Sequence, residues 1–322
     1  MNSPENGASS SGVPVCILLS VYNGATYLEA LLQSLARQTH TDWILLWRDD
    51  GSRDDGRAIL HRFAGLLAPG RCREITQGKK RLGVAQSFGL LLEHVPEGCA
   101  VAFCDQDDVW FPDKLERGFA ALATRCNGQV PALYCSRQTL TDADLQPIGV
   151  SPMLPHDPTF PMALTQNIAT GCTVLLSPAA VTLVRAAMPP PPDTLHDWWS
   201  YLLVSAAGGV VVADNRPSLY YRQHQSNAVG APTHWFRRAL AAFRRGPSLF
   251  MRAFRGNVMR LLAQQQVLQE QNRTCLLALQ KALATPGMVG WVARYRLLRQ
   301  MRQLRRATFA EQQIFCLWFI LG

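Results

Sequence analysis

The sequence predicts an α/β protein with a Rossmann-like, mainly parallel mixed sheet, followed by a helical extension. Two observations support this class. Between residues 15 and 125, short apolar runs alternate four times with amphipathic helical stretches, which is typical of parallel strands joined by crossover helices. Acidic residues also gather where two of these runs end. Because the carboxyl ends of parallel strands face the ligand crevice, these acids are expected to face a ligand.

The first half of the chain is predicted to contain four strand–helix repeats. Each apolar run is rich in β-branched or aromatic residues, and each following stretch has apolar residues at helical spacing. The predicted strands cover residues 15–20, 43–48, 74–76 and 100–104, and the predicted helices cover 25–38, 54–67, a stretch from 84 to 92, and 112–125. Residues 14–130 are therefore expected to form the nucleotide-binding half of a domain that covers 14–230.

After residue 131 the pattern mixes strands and helices, as expected for an acceptor-binding half. Strands are predicted at 132–139, 171–176, 210–213 and 218–222, and helices at 178–188 and 195–207. Four consecutive prolines at 189–192 cannot be helical and predict an extended connector.

The charge of the chain divides it near residue 230. Residues 231–322 hold 15 Lys and Arg and two acidic residues, a net charge of +13, whereas residues 1–230 hold 17 basic and 21 acidic residues, a net charge of −4. Aromatic and arginine residues alternate along this helical extension, which suits peripheral contact of residues 233–306 with an anionic membrane. Ordinary helices with a solvated basic face remain the alternative. No nucleic-acid-reading motif accompanies the charge.

Composition excludes several classes of protein. With 322 residues and 48% hydrophobic residues, the chain can bury a substantial core and is not disordered, although residues 1–13 are expected to form a loose tail. No secretory signal and no apolar run of about 20 residues is present. Nine cysteines without a Cys-x-x-Cys pair indicate buried thiols in a reducing compartment. The expected location is cytoplasmic, with possible attachment to the cytoplasmic face of the inner membrane.

The acids after the fourth strand predict a metal site. Asp105 and Asp107 are separated by one residue, so they can project the same way from an extended backbone and share a divalent cation, which can hold a diphosphate. The alternative is a solvated turn in which Asp108 caps the helix that begins near Pro112. The residues alone do not decide between a cap and a supporting role for Asp108.

Five motifs in order resemble the family-2 inverting glycosyltransferases of GT-A fold, especially their bacterial rhamnosyltransferase-like branch. The resemblance covers about residues 13–230 and leaves out the basic extension. Its motifs are Ser20-Val-Tyr-Asn-Gly24, Arg48-Asp-Asp-Gly-Ser52, Cys104-Asp-Gln-Asp-Asp-Val-Trp110, His196-Asp-Trp-Trp199, and Tyr221-Arg-Gln-His224 with Asn227.

The resemblance implies a nucleotide-sugar site and a metal. Tyr22 is expected against the base, and Asp50 is expected to accept a hydrogen bond from a pyrimidine N3–H. Asp105 is expected near the ribose and, with Asp107 and His224, around Mg²⁺ or Mn²⁺, which acts as a Lewis acid for the departing diphosphate. The full set implied for nucleotide-sugar binding is Ser20, Tyr22, Asn23, Asp50, Arg81, Asp105, Gln106, Trp198 and Arg222.

The resemblance also assigns Asp197 as the catalytic base. Inverting transfer needs a carboxylate that takes the proton of the acceptor hydroxyl. As alternatives, Asp197 is a helix N-cap and Trp198 a core residue instead of a wall against the sugar. The chain departs from many relatives at Arg81-Leu82-Gly83, where they carry Asn-x-Gly, and Arg81 is expected to contact the diphosphate or, as the alternative, a different donor sugar.

The implied reaction moves a sugar such as rhamnose from a dTDP- or UDP-sugar to a growing surface glycan or a lipid-linked acceptor. One alternative is a sugar-nucleotide pyrophosphorylase, but that class carries a Gly-rich basic loop where this chain has Val21-Tyr-Asn-Gly24. A non-catalytic membrane-surface scaffold that uses the basic extension is the other alternative.

Overall fold

The computed structural model describes residues 13–78, 81–125, 129–224 and 235–322, with the backbone alone between 235 and 247. The strands in this part of the chain are β1 (Val15–Val21), β2 (Trp43–Asp49), β3 (Cys72–Glu74), β4 (Ala100–Cys104), β5 (Val109–Trp110), β6 (Ala132–Thr141), β7 (Pro147–Val150), β8 (Leu175–Leu176) and β9 (Val210–Arg222). The helices are α1 (Ala25–Ala36), α2 (Gly56–Gly65), α3 (Val84–Glu93), α4 (Lys114–Ala123), α5 (Phe160–Ala163), α6 (Pro178–Ala186), α7 (His196–Ala206), α8 (Trp235–Leu262), α9 (Glu270–Ala284), α10 (Gly287–Gln300) and α11 (Phe309–Leu321).

The first four strands form the parallel half of one sheet, in the order β3-β2-β1-β4. The strand side chains of β1 and β4 are almost all buried, because helices cover both faces of the sheet. The four predicted strand–helix repeats are confirmed, with β3 shifted two residues toward the N-terminus. Register pairs Ser20 with Arg48 and Leu19 with Cys104, so the strand ends that carry the sequence motifs meet at one edge.

Beyond β4 the sheet becomes mixed. β8 is antiparallel to both β4 and β6, and β9 is parallel to β6. The short strands at the margin are antiparallel to their neighbours: β5 pairs with β9, and β7 pairs with β6. Two expectations are corrected here. The strands predicted at 210–213 and 218–222 are one strand, β9, whose register against β6 shifts near Pro217. The strand predicted at 171–176 is a 3-10 turn, Gly171–Thr173, followed by the short β8, because Val174 N bonds Gly171 O.

The C-terminal helices pack against the α/β body. Phe254, Val258 and Leu261 of α8 are fully buried, and Phe254 contacts the rings of Phe315 and Phe319 in α11 at centroid distances of 6.0 and 5.7 Å. These side chains belong to the same apolar cluster as core residues of α7 and β6. For residues 248–262, the apolar side of the helix is therefore used for packing, as the ordinary-helix alternative proposed.

Some expectations lie outside the described residues. These are the tail 1–13 except Val13, Asn227 of the last motif, the boundary near 230, and the aromatic side chains between 235 and 247. Within the described ranges, all cysteines are free thiols. No helix in those ranges has the length and apolar character needed to cross a bilayer.

Candidate active site

The candidate site lies where the carboxyl ends of β1, β2, β4 and β9 approach the N-terminus of α7. The segment after β1 is fixed by Gln106, which follows β4. The Gln106 amide accepts a hydrogen bond from Tyr22 N (2.9 Å) and donates one to Tyr22 O (3.1 Å). A Cβ at Gly24 would lie 2.4 Å from Gln106 Oε1, so a larger residue there would displace the Gln106 amide from this position. Gln106 is expected to bind the donor, but in the structure its side-chain amide forms hydrogen bonds with the backbone of Tyr22.

A second set of bonds joins the β1 end to the β2 end. Asn23 N donates to Ser52 Oγ at 2.9 Å, and Arg53 N donates to Asn23 Oδ1 at 2.9 Å. Asn23 has φ of +50°, a backbone conformation that asparagine tolerates better than most residues. Ser20, at the end of the same strand, is half-buried. The donor contacts expected of Ser20 and Asn23 stay predictions.

Asp50 holds the loop that carries Arg81. Its carboxylate accepts from Arg48 Nη1 at 2.7 Å and from the backbone N–H groups of Leu82 (2.7 Å) and Gly83 (2.9 Å). Asp50 is almost fully buried. The bond expected from a pyrimidine N3–H to Asp50 remains a prediction, and a base would share this carboxylate with the loop.

Arg81 and Tyr22 contact each other directly. The Arg81 guanidinium lies 4.7 Å from the centroid of the Tyr22 ring and donates to its hydroxyl. Tyr22 is well exposed. The structure therefore brings together the residue expected against the base and the residue expected at the diphosphate, in an open position beside the Asp50 loop.

The three acids after β4 have different surroundings. Asp108 is completely buried, and neither of its carboxylate oxygens has a hydrogen-bond partner. The cap position of α4 belongs to Asp113, so the solvated-turn and helix-cap alternative for Asp108 is wrong. Burial, with the charges of Asp105 and Asp107, holds the pKa of Asp108 well above its usual range.

Asp105 connects this cluster to Asp197. Burial raises the pKa of Asp105 to about 7, and the negative charges of Asp107 and Asp197 add to the increase. Such mutual repulsion requires that these carboxylates lie near one another. The acid that follows β4 and the acid in the first turn of α7 therefore lie near each other.

The residues expected around a metal fit a hard cation. Asp107 Oδ2 and His224 Nε2 are 2.8 Å apart, and one ligand atom each of Asp105, Asp108 and Cys172 lie within 4.8 Å of one another. Carboxylate oxygens are preferred by Mg²⁺ and Mn²⁺, and both buried oxygens of Asp108 lack a hydrogen-bond partner. Burial holds the pKa of the Cys172 thiol well above its usual range, so this side chain is a poor ligand.

Arg222 supports the acid loop from β9. Its Nε donates to Asp107 O at 2.9 Å, its Nη1 donates to Ala143 O, and its guanidinium lies 4.6 Å from the centroid of Tyr27. The His224 ring stacks on Tyr27 with a centroid distance of 4.9 Å. Arg222 is buried, so its observed contacts position the backbone of Asp107, and the phosphate contact expected of it stays a prediction.

Asp197 is held at the start of α7 by residues from another segment. Its Oδ2 accepts from Gly171 N (3.0 Å) and Asn167 Nδ2 (3.1 Å), and its Oδ1 accepts from Trp198 N (2.6 Å). Leu195 occupies the N-cap, so the N-cap alternative for Asp197 is wrong. Burial raises the pKa of Asp197 to about 6, although these hydrogen bonds act to lower it.

The neighbours of Asp197 are core residues. Trp198 Nε1 donates to Ala163 O at 2.8 Å, and the half-buried indole packs against the main apolar cluster. The His196 ring stacks on Phe88 at 3.8 Å and meets Phe103 edge-on at 4.6 Å. Trp198 therefore has a structural role, and the sugar contact expected of it remains a prediction.

Four supporting residues were not singled out from the sequence: Asn167, Gly171, Cys172 and Lys114. Lys114 is buried, with its Nζ 4.2 Å from the centroid of the Trp110 ring. Burial lowers the pKa of Lys114 to about 8, and the charge of Asp108 is among the influences that act against this. A lysine directly after the acidic motif was visible in the sequence. The partners of Asp197 lie 26 and 30 residues away, and no spacing rule could have identified them.

Known proteins and one family model are similar to parts of this chain. Residues 16–167 match the family model described as glycosyl transferase family 2. The chain is 36% identical over 103 residues to an uncharacterized glycosyltransferase, alr2836, of Nostoc sp., a match that covers 32% of this chain and 31% of that protein. It is 26% identical over 225 residues to the dTDP-rhamnosyl transferase RfbG of Shigella flexneri, covering 66% of this chain and 74% of that one.

A solved structure has a similar fold. The crystal structure of S. aureus TarS 1-349 in complex with UDP-GlcNAc aligns with a TM-score of 0.57 at 14% identity, covering 89% of this chain and 81% of that one. The match to the Nostoc protein spans only about a third of that relative, whereas the structural match extends into the C-terminal helices. The chain therefore contains a glycosyltransferase family 2 domain, and its mixed α/β sheet has the GT-A fold.

Proposed function

We propose that this protein is an inverting, metal-dependent glycosyltransferase. It transfers a sugar from a pyrimidine nucleotide diphosphate to a hydroxyl of a surface glycan or lipid-linked acceptor. The observation that carries the proposal is the proximity of Asp105 to Asp107 and Asp197: burial raises the pKa of Asp105 to about 7, and the charges of Asp107 and Asp197 add to this increase. Family membership favours this reaction over the pyrophosphorylase alternative.

Asp107, Asp105 and His224 are the residues that would hold Mg²⁺ or Mn²⁺. The cation supplies a Lewis acid for the departing diphosphate. Arg222 bonds the backbone of Asp107 and lies against Tyr27, on which the His224 ring stacks, so these contacts support the positions of Asp107 and His224 beside each other.

Asp197 acts as the base. A pKa of about 6 leaves its carboxylate charged at neutral pH and makes it a stronger base than a solvated aspartate. The acceptor oxygen bonds to the anomeric carbon as the bond to the diphosphate breaks, and Asp197 takes the hydroxyl proton. Asn167 and Gly171 position the carboxylate for this transfer.

The donor site is assigned to the segments after β1, β2 and β3. Tyr22 stacks on the base, Asp50 binds it, and Arg81 contacts the diphosphate, with Ser20 and Asn23 beside them. The name of the Shigella relative supports a dTDP-sugar such as dTDP-rhamnose, and the TarS complex supports a UDP-sugar. Both nucleotides belong in the first screen.

The proposed site of action is the cytoplasmic face of a membrane that carries the growing glycan. The basic residues of the segment 233–306 support contact with anionic lipid.

The test combines binding and turnover. Thermal-shift measurements with dTDP- and UDP-sugars, with and without Mn²⁺, identify the donor, because a ligand that binds the native state raises the unfolding midpoint. Nucleotide release with the selected donor then measures turnover. Asp107→Ala is expected to abolish the Mn²⁺-dependent shift and turnover.

Asp197→Asn separates catalysis from binding. This variant is expected to keep the donor-induced shift and lose turnover by about 100-fold or more, the usual contribution of a general base. Asp144→Ala removes an exposed acid outside the cleft and serves as the matched control, with unchanged activity. Full turnover in Asp197→Asn would contradict the assignment of the base, and an unchanged metal response in Asp107→Ala would contradict the metal site.

A further inference from the structure

The exposed side of α10 carries a group of large apolar and aromatic side chains. Met288, Val289, Trp291, Val292 and Tyr295 are 43% to 76% exposed, although each is large and apolar or aromatic. We call this set the α10 face. Met288, Val292 and Tyr295 follow the i, i+4, i+7 spacing of one helical face, with Trp291 and Val289 on its two edges.

The opposite side of α10 is fixed to the body of the protein. The buried Arg294 donates from Nε to Ile320 O (2.9 Å) and from Nη1 to Ala282 O and Thr285 O (3.2 Å each). Gly290 packs so closely that a Cβ would lie 1.9 Å from Thr285 O. The α10 face is therefore held outward by specific contacts on the buried side.

Exposed arginine residues follow the apolar residues along α10. Arg296 and Arg299, in the second half of α10, are exposed, and residues 287–306 contain six arginines and no acidic residue. The bond from Arg294 to Ile320 places the last turn of α11 beside α10, and its Leu317 and Leu321 are more than half exposed. An apolar surface thus adjoins a strongly basic one.

We propose that the α10 face docks on an anionic lipid surface. Aliphatic, Trp and Tyr side chains enter the boundary between headgroups and acyl chains, where amphipathic aromatic rings are favoured. Arg296 and Arg299 contact lipid phosphates. The charge complementarity selects anionic lipid over a second copy of this chain, because two such faces would bring like charges together.

Within residues 233–306, the proposed membrane contact therefore lies on α10. The described part of α8 does not take part, because its large aromatic side chains pack against other helices. The test of this contact needs neither donor nor metal. The result is therefore separate from the outcome for glycosyl transfer.

The experiment measures co-sedimentation of the full chain with vesicles of phosphatidylcholine alone or mixed with phosphatidylglycerol. Binding is expected with the anionic vesicles and is expected to weaken as salt rises, because salt screens the attraction. Arg296→Gln and Arg299→Gln are each expected to weaken binding about fivefold, the effect of one basic residue near a charged membrane. Arg37→Gln, an exposed arginine in the N-terminal half, is the matched control.

The apolar part is tested with Met288→Ser/Val292→Ser. This variant is expected to lose vesicle binding and to keep its thermal midpoint and nucleotide-release activity, whereas Leu66→Ser, a highly exposed leucine at the end of α2, keeps binding. Absence of binding to anionic vesicles, or equal binding by the variants and the wild type, overturns the proposal. A dimer in light scattering that becomes a monomer in the double variant, with vesicle binding unchanged, overturns it in favour of a homodimer interface.

Discussion

At the scale of single residues, burial gives two aspartates of the same cleft different tasks. Asp197 has three hydrogen-bond donors around its carboxylate, and these offset part of the cost of burying its charge. Asp108 has none, and burial together with the charges of the neighbouring acids holds its pKa well above its usual range. A residue that serves as a base needs the first environment, and Asp197 has it.

The pH dependence of turnover should report Asp197. With the pKa of Asp197 raised to about 6, the active carboxylate is lost as pH falls through that value. We expect kcat/KM to fall about tenfold per pH unit below pH 6. The measurement uses saturating Mn²⁺, because a bound cation favours the charged form of Asp105 and removes its titration from this range. An acid limb centred near pH 4 would contradict the assignment.

His196 should make the protein sensitive to acid. Burial lowers its pKa to about 3, so the folded state keeps it neutral at pH 5 while the unfolded state, with a pKa near 6.5, binds a proton. Because the pKa of His196 is lower in the folded state than in the unfolded state, the unfolding free energy decreases as pH falls below about 6.5. The expected loss from this residue between pH 7 and pH 5 is about 2 kcal/mol.

Urea unfolding at the two pH values measures this loss. His196→Leu removes the titrating ring and is expected to reduce the pH dependence of the unfolding free energy by that amount. His156→Leu, which replaces a highly exposed histidine, is expected to leave the pH dependence unchanged. Equal slopes in wild type and His196→Leu would show that His196 is protonated in the folded state.

At the scale of elements, the site is built from strand ends that are cross-linked by side chains. Gln106 joins the β4 end to the β1 end, Asn23 joins β1 to β2, and Asp50 joins β2 to the loop before α3. Each contact pairs a side chain with a backbone group of a segment that connects a strand to the next helix. Hydrogen bonds from a side chain to the backbone also orient α10, where Arg294 donates to carbonyl groups at the end of α9.

Gly290 is expected to be essential for the placement of α10. Gly290→Ala forces a shift of α10 away from Thr285 and should lower the unfolding free energy by about 1–3 kcal/mol, as overpacking does. Gly65→Ala, at the end of α2 where no atom lies within 4 Å, is the matched control and should be neutral or slightly stabilising. Denaturant unfolding of both variants makes the comparison. Equal stabilities would contradict the close packing of α10.

At the scale of the whole molecule, charge and packing divide the chain differently. The net charge changes sign near residue 230, which led to the proposed boundary between a domain of 14–230 and an extension of 231–322. The main apolar cluster nevertheless includes Trp199 and Leu203 of α7 together with Phe254, Leu276 and Phe315 of the extension. An electrostatic boundary can lie within a single hydrophobic core.

A chain shortened to residues 1–230 should therefore not fold independently. The shortened chain lacks α8–α11, so the apolar surface on which these helices pack becomes exposed to solvent. Exposed apolar surfaces of this kind cause aggregation. We expect an insoluble product, or one without a cooperative unfolding transition, in expression and thermal denaturation experiments. A soluble fragment with a sharp transition would show that 14–230 is a separate folding unit.

The sequence by itself determined the strand–helix order of the first half, the positions of the acidic strand ends and the glycosyltransferase resemblance, because these follow from local periodicity and short motifs. Only the tertiary structure decided that Asp108 is buried rather than a helix cap, that Asn167 and Gly171 hold Asp197, and that residues 248–262 of α8 pack inward while α10 presents its apolar side outward. Burial and long-range hydrogen bonds depend on which surfaces meet. Two helices with similar arginine and aromatic content can therefore have opposite exposures.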